Sequence, residues 1–339
     1  MLITGASGFV GSFIAEKALG MGYETWVGVR RTSSRAYLTD PRLHFIEMDL
    51  GDRAGLRSSL AVFRRERGLF DYVVHAAGVT KARRRGDFEK GNTVATLNLA
   101  EALTELRMAP RRFVFISSLS VMGAVREQRV EQGDGHHYLP ITQDDEPAAN
   151  TAYALSKLEA ERVLGAMAGL PLVVLRPTGI YGPRDKDYLM LVRNVAKGRS
   201  LRVGRSPQEL TFVYVRDVAK AAMLACTAGP VGATYLLSDG QTYSAEDFAD
   251  VVGRELGVER LRRYTVPLAV LRVACVIGGM VGRLGRPTPL NPDKYRILSQ
   301  RNWRCDIEPA RTGLGFEAEY DLCRGMKETI AWYKQNNWL

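Results

Sequence analysis

Three glycines, Gly5, Gly8 and Gly11, fall within the opening stretch "MLITGASGFVG". They follow a short apolar strand, Leu2-Ile3-Thr4, and lead into an apolar helical run from Phe9 to Leu19. A strand that turns sharply into a helix leaves unpaired backbone N–H groups at the helix start, where an anion binds. Glycine permits the tight turn and lets a phosphate come close to the backbone. Glycine triplets also occur in ordinary turns, so the surroundings must decide. Here apolar, β-branched runs at 2–4, 24–29, 44–48, 72–76, 112–117 and 172–176 alternate with helix-period segments such as 93–106 and 152–167. That alternation predicts a parallel sheet covered on both faces, which binds ligands at the carboxyl ends of its strands. The glycine turn lies between the first strand and the first helix of such a sheet.

With 339 residues, 46% of them hydrophobic, the chain can bury a large core in two lobes. Past Arg176 the pattern loosens: prolines and glycines recur, as in "RPTGIYGPRDKD" and "RPTPLNPDK", and shorter helices are expected. The division expected is a first lobe over 1–176, to which 211–238 returns, and a smaller α/β lobe over 177–339. The polar stretch 124–150 reads as a long loop lying over a pocket. A strand starting at residue 2 leaves no room for a leader, and four cysteines without C-x-x-C spacing read as reduced thiols, so a cytoplasmic location is expected.

The net charge of +10 raises nucleic acid as a partner, but the basic residues form short scattered clusters, such as Arg83-Arg84-Arg85, without a basic tail or interleaved aromatics. No nucleic-acid partner is expected; the charge suits an anionic cofactor or an acidic membrane surface. The stretch "TVPLAVLRVACVIGGMVG" (265–282) has nearly the length of a spanning helix, but Pro267, Arg272 and Gly278-Gly279 weaken that reading. A buried or pocket-lining helix is the first reading, peripheral membrane contact the second. His136-His137 has no third ligand at metal spacing and reads as loop surface, so no metal is expected. Asp144-Asp145-Glu146 reads as solvated charge before a helix that Asn150 or Thr151 caps.

Four further motifs lie near strand ends: Asp49-Leu50, "HAAG" (75–78), "FISSLSVMG" (115–123) and "YALSK" (153–157). With "NTVATLN" (92–98) and "RPTGIYGP" (176–183), they make the chain resemble, nearly end to end, the extended short-chain dehydrogenases/reductases, also called the NAD-dependent epimerase/dehydratase family. The resemblance implies a Rossmann-type doubly wound parallel sheet with a substrate lobe, and an enzyme that holds NAD(P). The dinucleotide would lie on Gly5, Ser7, Gly8, Phe9, Val10 and Gly11, with Asp49 and Leu50 flanking the adenine and Ala76, Ala77 and Gly78 beneath it. Pro177 and Gly179 would complete its site. Tyr153 would be the acid/base, Lys157 would hold the nicotinamide ribose, and Ser118 would bind the reacting oxygen. Ser118 is chosen over Ser117 by its spacing from Gly123. Tyr153 and Lys157 stand four apart, on one helix face. An ammonium near a phenol stabilises the phenolate and draws its pKa down from about 10. Ser120 and Tyr181 would touch substrate, and Arg184 and Tyr188 would line the pocket. Asn92 and Asn98 would brace helix against sheet. The resemblance also implies a homodimer through the helices at 93–106 and 152–167.

NAD-binding members carry an acidic residue after the second strand, where it bonds the ribose 2′-hydroxyl. This chain has "VGVRRTSSR" there, with Arg30 in the acid's place. A guanidinium suits a 2′-phosphate, so NADP(H) is the expected cofactor, held by Arg30 with Arg31 or Ser33 in support; NAD(H) is the alternative if Arg30 only stacks on adenine. The 4,6-dehydratases carry Thr-Asp-Glu where this chain has Ser118-Leu119-Ser120, which argues against dehydration. Nucleotide-sugar epimerases hold the diphosphate with an asparagine and an arginine whose places here are Gly179 and Leu210; Arg184, Arg202 or Arg205 would have to substitute. "LRPTGIYGPRD" is similar to the 3β-hydroxysteroid dehydrogenase and dihydroflavonol reductase branch. The leading expectation is a ketone/secondary-alcohol oxidoreductase acting on a hydrophobic, sterol- or flavonoid-like small molecule. A nucleotide-sugar 4-epimerase is the alternative, and a non-catalytic NADP(H) sensor or assembly protein the third reading.

Overall fold

The computed structural model describes residues 1–82, 84–132, 135–283 and 290–339. Arg83, the first four residues of "RPTPLNPDK" and the side chain of His136 lie outside the described residues. The strands are β1 (Leu2–Thr4), β2 (Trp26–Val29), β3 (His44–Glu47), β4 (Tyr72–His75), β5 (Arg112–Ile116), β6 (Arg129–Gln132), β7 (Gly135–Tyr138), β8 (Leu172–Pro177), β9 (Gly179–Tyr181), β10 (Arg199–Val203), β11 (Phe212–Tyr214), β12 (Thr234–Leu237) and β13 (Arg262–Val266). Seven of them form one parallel sheet in the order β12-β8-β5-β4-β1-β2-β3. The order reverses beside β1, which pairs with both β2 and β4. Ligands of open α/β sheets bind at such a reversal.

The helices are α1 (Phe9–Gly20), α2 (Arg53–Arg67), α3 (Arg85–Phe88), α4 (Ala95–Glu105), α5 (Ala152–Ala166), α6 (Leu189–Ala196), α7 (Val215–Thr227), α8 (Ala245–Leu256), α9 (Leu268–Arg283), α10 (Pro292–Ser299), α11 (Glu308–Leu314) and α12 (Leu322–Gln335). The inner sheet strands are largely apolar because both their faces are covered, whereas the edge strand β3 exposes His44 and Glu47. Ile3, Val74 and Val114 face α1 and α7 in one core; Leu2, Val73 and Phe113 face α2, α4 and α5 in another. β12 follows α7 and pairs with β8 at the sheet edge. Aromatics of β11, α8 and α12, among them Phe212, Tyr214, Phe248 and Tyr333, form a separate core with Tyr181 of β9.

Several expectations need correction. The stretch 124–150 is not one loop: β6 and β7 pair antiparallel within it. The helix expected from Thr93 is preceded by a π-helical turn over Glu89–Val94 and becomes regular only at Ala95. Past Arg176 the helices are mixed: α6, α10 and α11 span 8, 8 and 7 residues, as expected, but α8, α9 and α12 span 12, 16 and 14 against 12 for α1. Two glycines inside the longer helices are packing positions. A Cβ on Gly253 would meet Leu261, and Gly325 closes on the Tyr181 ring. The stretch 265–282 is also not a buried helix: α9 buries Leu271 and Cys275 but exposes Val270, Val273, Ile277 and Met280. Among the described residues no helix is long and apolar enough to cross a membrane. Cys226, Cys275 and Cys305 are buried and Cys323 is exposed, all as free thiols.

Candidate active site

The glycine turn locks β1 to the end of β4. Gly5 has φ +74°, and a Cβ on it would lie 2.5 Å from the Ala77 nitrogen; a Cβ on Gly11 would run into the Gly5 carbonyl. Gly8 is exposed at the N-cap of α1, whose first turn has no side-chain cap and no acidic residue. Helix-start amides left open in this way form an anion site. Ser7, Phe9 and Val10, half-buried, border it.

The expected adenine end lies at the carboxyl ends of β2 and β3. Arg30 and Arg31 are exposed; the Arg30 N–H donates to Ser33 Oγ at 3.0 Å and the Ser33 N–H returns to the Arg30 carbonyl at 2.9 Å, fixing a tight loop. Asp49 is exposed and accepts from the Gly51 N–H at 2.9 Å. The Leu50 carbonyl accepts from Asn98 Nδ2 at 2.8 Å, which ties this end to α4. Asn98 is therefore a brace.

Ala76, Ala77 and Gly78 run from β4 toward the reacting end. A Cβ on Gly78 would lie 3.1 Å from both Lys157 Nζ and Asn92 Oδ1, so the three residues converge. Asn92 Oδ1 accepts from the Val79 N–H at 2.6 Å, and its Nδ2 donates to the Val79 carbonyl and to Ser156 Oγ. It clamps the post-β4 loop to α5. His75, at the end of β4, bonds Thr4 through Nδ1 at 2.6 Å and Thr96 through Nε2 at 2.8 Å. Burial, then the Lys157 charge, push its pKa down to about 3, so it is a neutral strut.

The helix α5 starts at Thr151, whose hydroxyl accepts from the Ala154 N–H at 3.2 Å, and its first turns carry Tyr153 and Lys157. Ser118 caps the 3₁₀ turn Leu119–Met122, and its Oγ accepts from the Ser120 hydroxyl at 2.9 Å. Tyr153 is half-buried overall, yet burial of its hydroxyl pushes the pKa up to about 12; the hydrogen bond with Ser118 opposes this and the Asp187 charge adds to it. Lys157 contributes no lowering. Its ammonium donates to the Ile116 carbonyl at 2.9 Å and lies 4.6 Å over the Phe115 ring. Burial draws its own pKa down to about 8, against the pull of Glu161. The expected ammonium–phenol tuning is thus absent from this arrangement, because Lys157 is engaged by the β5 backbone.

Ser117 is committed elsewhere: it bonds the Glu161 carboxylate. Glu161 also accepts from Arg176 Nη2 at 2.6 Å, and both side chains are only 8% exposed. This buried pair escaped the sequence reading, although Glu161 stands four residues past Lys157 on the same face. Pro177 is buried at the end of β8. Gly179 has no room for a side chain, since its Cβ would strike the Tyr188 hydroxyl.

Some expected pocket residues are withdrawn into the protein. Tyr181 is fully buried, and its hydroxyl donates to the Asp321 carbonyl at 2.9 Å, so it belongs to the second-lobe core and not to a substrate surface. Arg184 donates to Ser12 Oγ and Glu16 and stacks over Phe13 and Tyr37, which ties α1 to the second lobe. Arg202 is held by Glu246 and by the Gly204 and Arg205 carbonyls. Asp145 is no free surface charge, since it accepts from Arg126 Nε at 2.7 Å. His137 meets Glu209 at 3.2 Å. A pair the sequence did not suggest, Lys81 with Asp187, joins the post-β4 loop to the segment before α6.

Residues 1–238 match the model of the NAD dependent epimerase/dehydratase family. The chain is 27% identical over 342 residues to a ceramide reductase of Caulobacter vibrioides, covering 99% of this chain and 95% of that one. It is 25% identical over 354 residues to a putative UDP-glucose 4-epimerase of Methanocaldococcus jannaschii, covering 99% of each. The crystal structure of a UDP-glucose 4-epimerase with UDP-glucose from Thermotoga maritima superposes with a TM-score of 0.75 at 21% identity, over 99% of both chains. At that identity the likeness is one of fold.

Proposed function

The chain belongs to the NAD-dependent epimerase/dehydratase family, and from that premise we propose that it interconverts a ketone and a secondary alcohol on an apolar substrate with NADP(H) as cofactor. The observation that carries the reading is the loss of polar anchors for an anion from the substrate side. Gly179 and Leu210 replace the polar pair that would grip a nucleotide diphosphate; of the three arginines that could substitute, Arg184 and Arg202 are bound to other groups and Arg205 is exposed on the turn after β10. A pyrophosphate buried without such partners would be costly. Full-length similarity to a protein named ceramide reductase supports a reductase of an apolar molecule.

The open first turn of α1 and the bare backbone of Gly8 fit a dinucleotide pyrophosphate. Arg30 and Arg31 form no ion pair among the described residues, which leaves their guanidinium groups for a 2′-phosphate. Once bound, the nicotinamide supplies or accepts the hydride. Tyr153, protonated up to about pH 12, donates its proton to the oxygen of a reduced ketone. Ser118 holds that oxygen, and Lys157, beside Gly78, holds the ribose. Tyr153→Phe is expected to lower kcat by about a hundredfold or more, with melting temperature and NADPH stabilisation unchanged. NADPH should raise the melting temperature more than NADH does. Unchanged turnover, or stabilisation by NADH alone, would overturn the respective half of the reading.

A 4-epimerase is the second reading, favoured by the full-length similarity to a putative UDP-glucose 4-epimerase. An epimerase keeps its oxidised cofactor through turnover, so tightly copurifying NAD with conversion of UDP-sugars would select it.

A further inference from the structure

Eight of the large hydrophobic residues exposed on the described surface fall in one region, which makes a contiguous patch instead of the usual scatter. On α9, Val270, Val273, Ile277 and Met280 recur at the spacing of one helix face, with Val276 beside them. These five are 47–59% exposed. The opposite face buries Leu271 and Cys275, and Gly278 and Gly279 let it close on Leu290 and Pro292. The patch continues past the helix start. Leu268 lies beside Gly204, and the parallel register of β10 and β13 sets exposed Leu201 next to exposed Tyr264. At the far end of that ribbon Arg199 pairs with Arg262, both exposed.

Charge selects the occupant. From Arg260 to Asn291 the sequence holds six arginines and no aspartate or glutamate; Arg263 is paired with Asp250 of α8, Arg260, Arg262 and Arg272 are exposed, and Arg286 and the side chain of Arg283 lie outside the described residues. A two-fold contact with a second copy would set these arginines against themselves, whereas an acidic surface would pair them. A sixteen-residue helix is about 24 Å long, too short to span a bilayer, but suited to lying in its interface. We propose that α9 and the β10–β13 ribbon dock in plane on an anionic lipid bilayer, with the apolar stripe at the acyl boundary and Arg199, Arg260, Arg262 and Arg272 among the headgroups. The patch is mounted close to the reaction. α10, which packs on α9, carries Asp293, and its Oδ2 accepts from the N–H of Ala152, next to Tyr153, at 2.8 Å. Supply of an apolar substrate from that bilayer rests on the oxidoreductase reading; docking does not.

The test is sedimentation of the full chain with phosphatidylcholine vesicles and with vesicles of phosphatidylcholine and phosphatidylglycerol. Binding is expected to the second kind, weakened by salt. The variant Val273→Glu/Ile277→Glu, both at exposed positions, should reduce it roughly tenfold or more at unchanged NADPH stabilisation. If that variant folds poorly, Val270→Ser/Val273→Ser serves in its place with a smaller expected loss. No binding to either vesicle, or undiminished binding by the variants, overturns the proposal. So does a dimer in solution that the variants dissociate, since a second copy would then cover the patch. The readout involves no turnover, so an inactive enzyme that still binds vesicles refutes only the oxidoreductase reading.

Discussion

Lys157 illustrates how much of this site is decided by burial. Its pKa falls from the ordinary 10.5 to about 8 because its ammonium is enclosed, with the Ile116 carbonyl as its hydrogen-bond acceptor. Between those two values the unfolded chain holds a proton that the folded chain has released, so this residue makes stability rise with pH across that window. The melting temperature of the wild type relative to Lys157→Met should therefore climb from pH 8 to pH 10; a constant difference would contradict the assignment. Cofactor affinity should run the other way, weakening above about pH 8 as the positive charge is lost, in titrations with NADPH. Tyr153 has the opposite displacement, toward about 12. As a proton donor it is charged with its proton at every ordinary pH, while its use as a base in alcohol oxidation awaits a change in surroundings.

At the scale of elements, the Glu161–Arg176 pair joins α5 to the end of β8 and holds Ser117 on β5's exit. Removing one member of a buried pair strands the other, at about 3–5 kcal/mol. Arg176→Met should cost that much in urea unfolding, and adding Glu161→Met should restore part of it. A loss below about 1 kcal/mol would mean that water reaches the pair. Six of the seven parallel strands were legible as short apolar runs between helical segments, although the edge strand β3 exposes His44 and Glu47, and Tyr153 and Lys157 were legible because "YALSK" joins the other motifs of the family resemblance. The hairpin β6–β7 was not, because "RVEQGDGHHY" shows no apolar alternation to betray it. The π-turn at Glu89–Val94 was not either; it keeps a helical composition and changes only the hydrogen-bond step. Tyr181 was misjudged because a motif position says nothing about which way a ring turns, and here Gly325 opens the space that draws it into the second-lobe core.

The whole molecule combines a seven-stranded sheet, covered by two cores, with a separate core built on aromatic contacts. Arg184 and the Lys81–Asp187 pair link their margins. We expect two such molecules to associate through α4 and α5, near which Val94 and Leu155 are exposed at 40% and 36%. Sedimentation equilibrium should give twice the 37.6 kDa chain mass, and Leu155→Glu should return it to one chain; a monomer at micromolar concentration would remove the expectation. The thiols offer a practical return. Three are sealed inside and Cys323 alone faces outward, on α12 of the second lobe. A maleimide dye should attach there once per chain, giving the unaltered protein a single fluorescent label on α12.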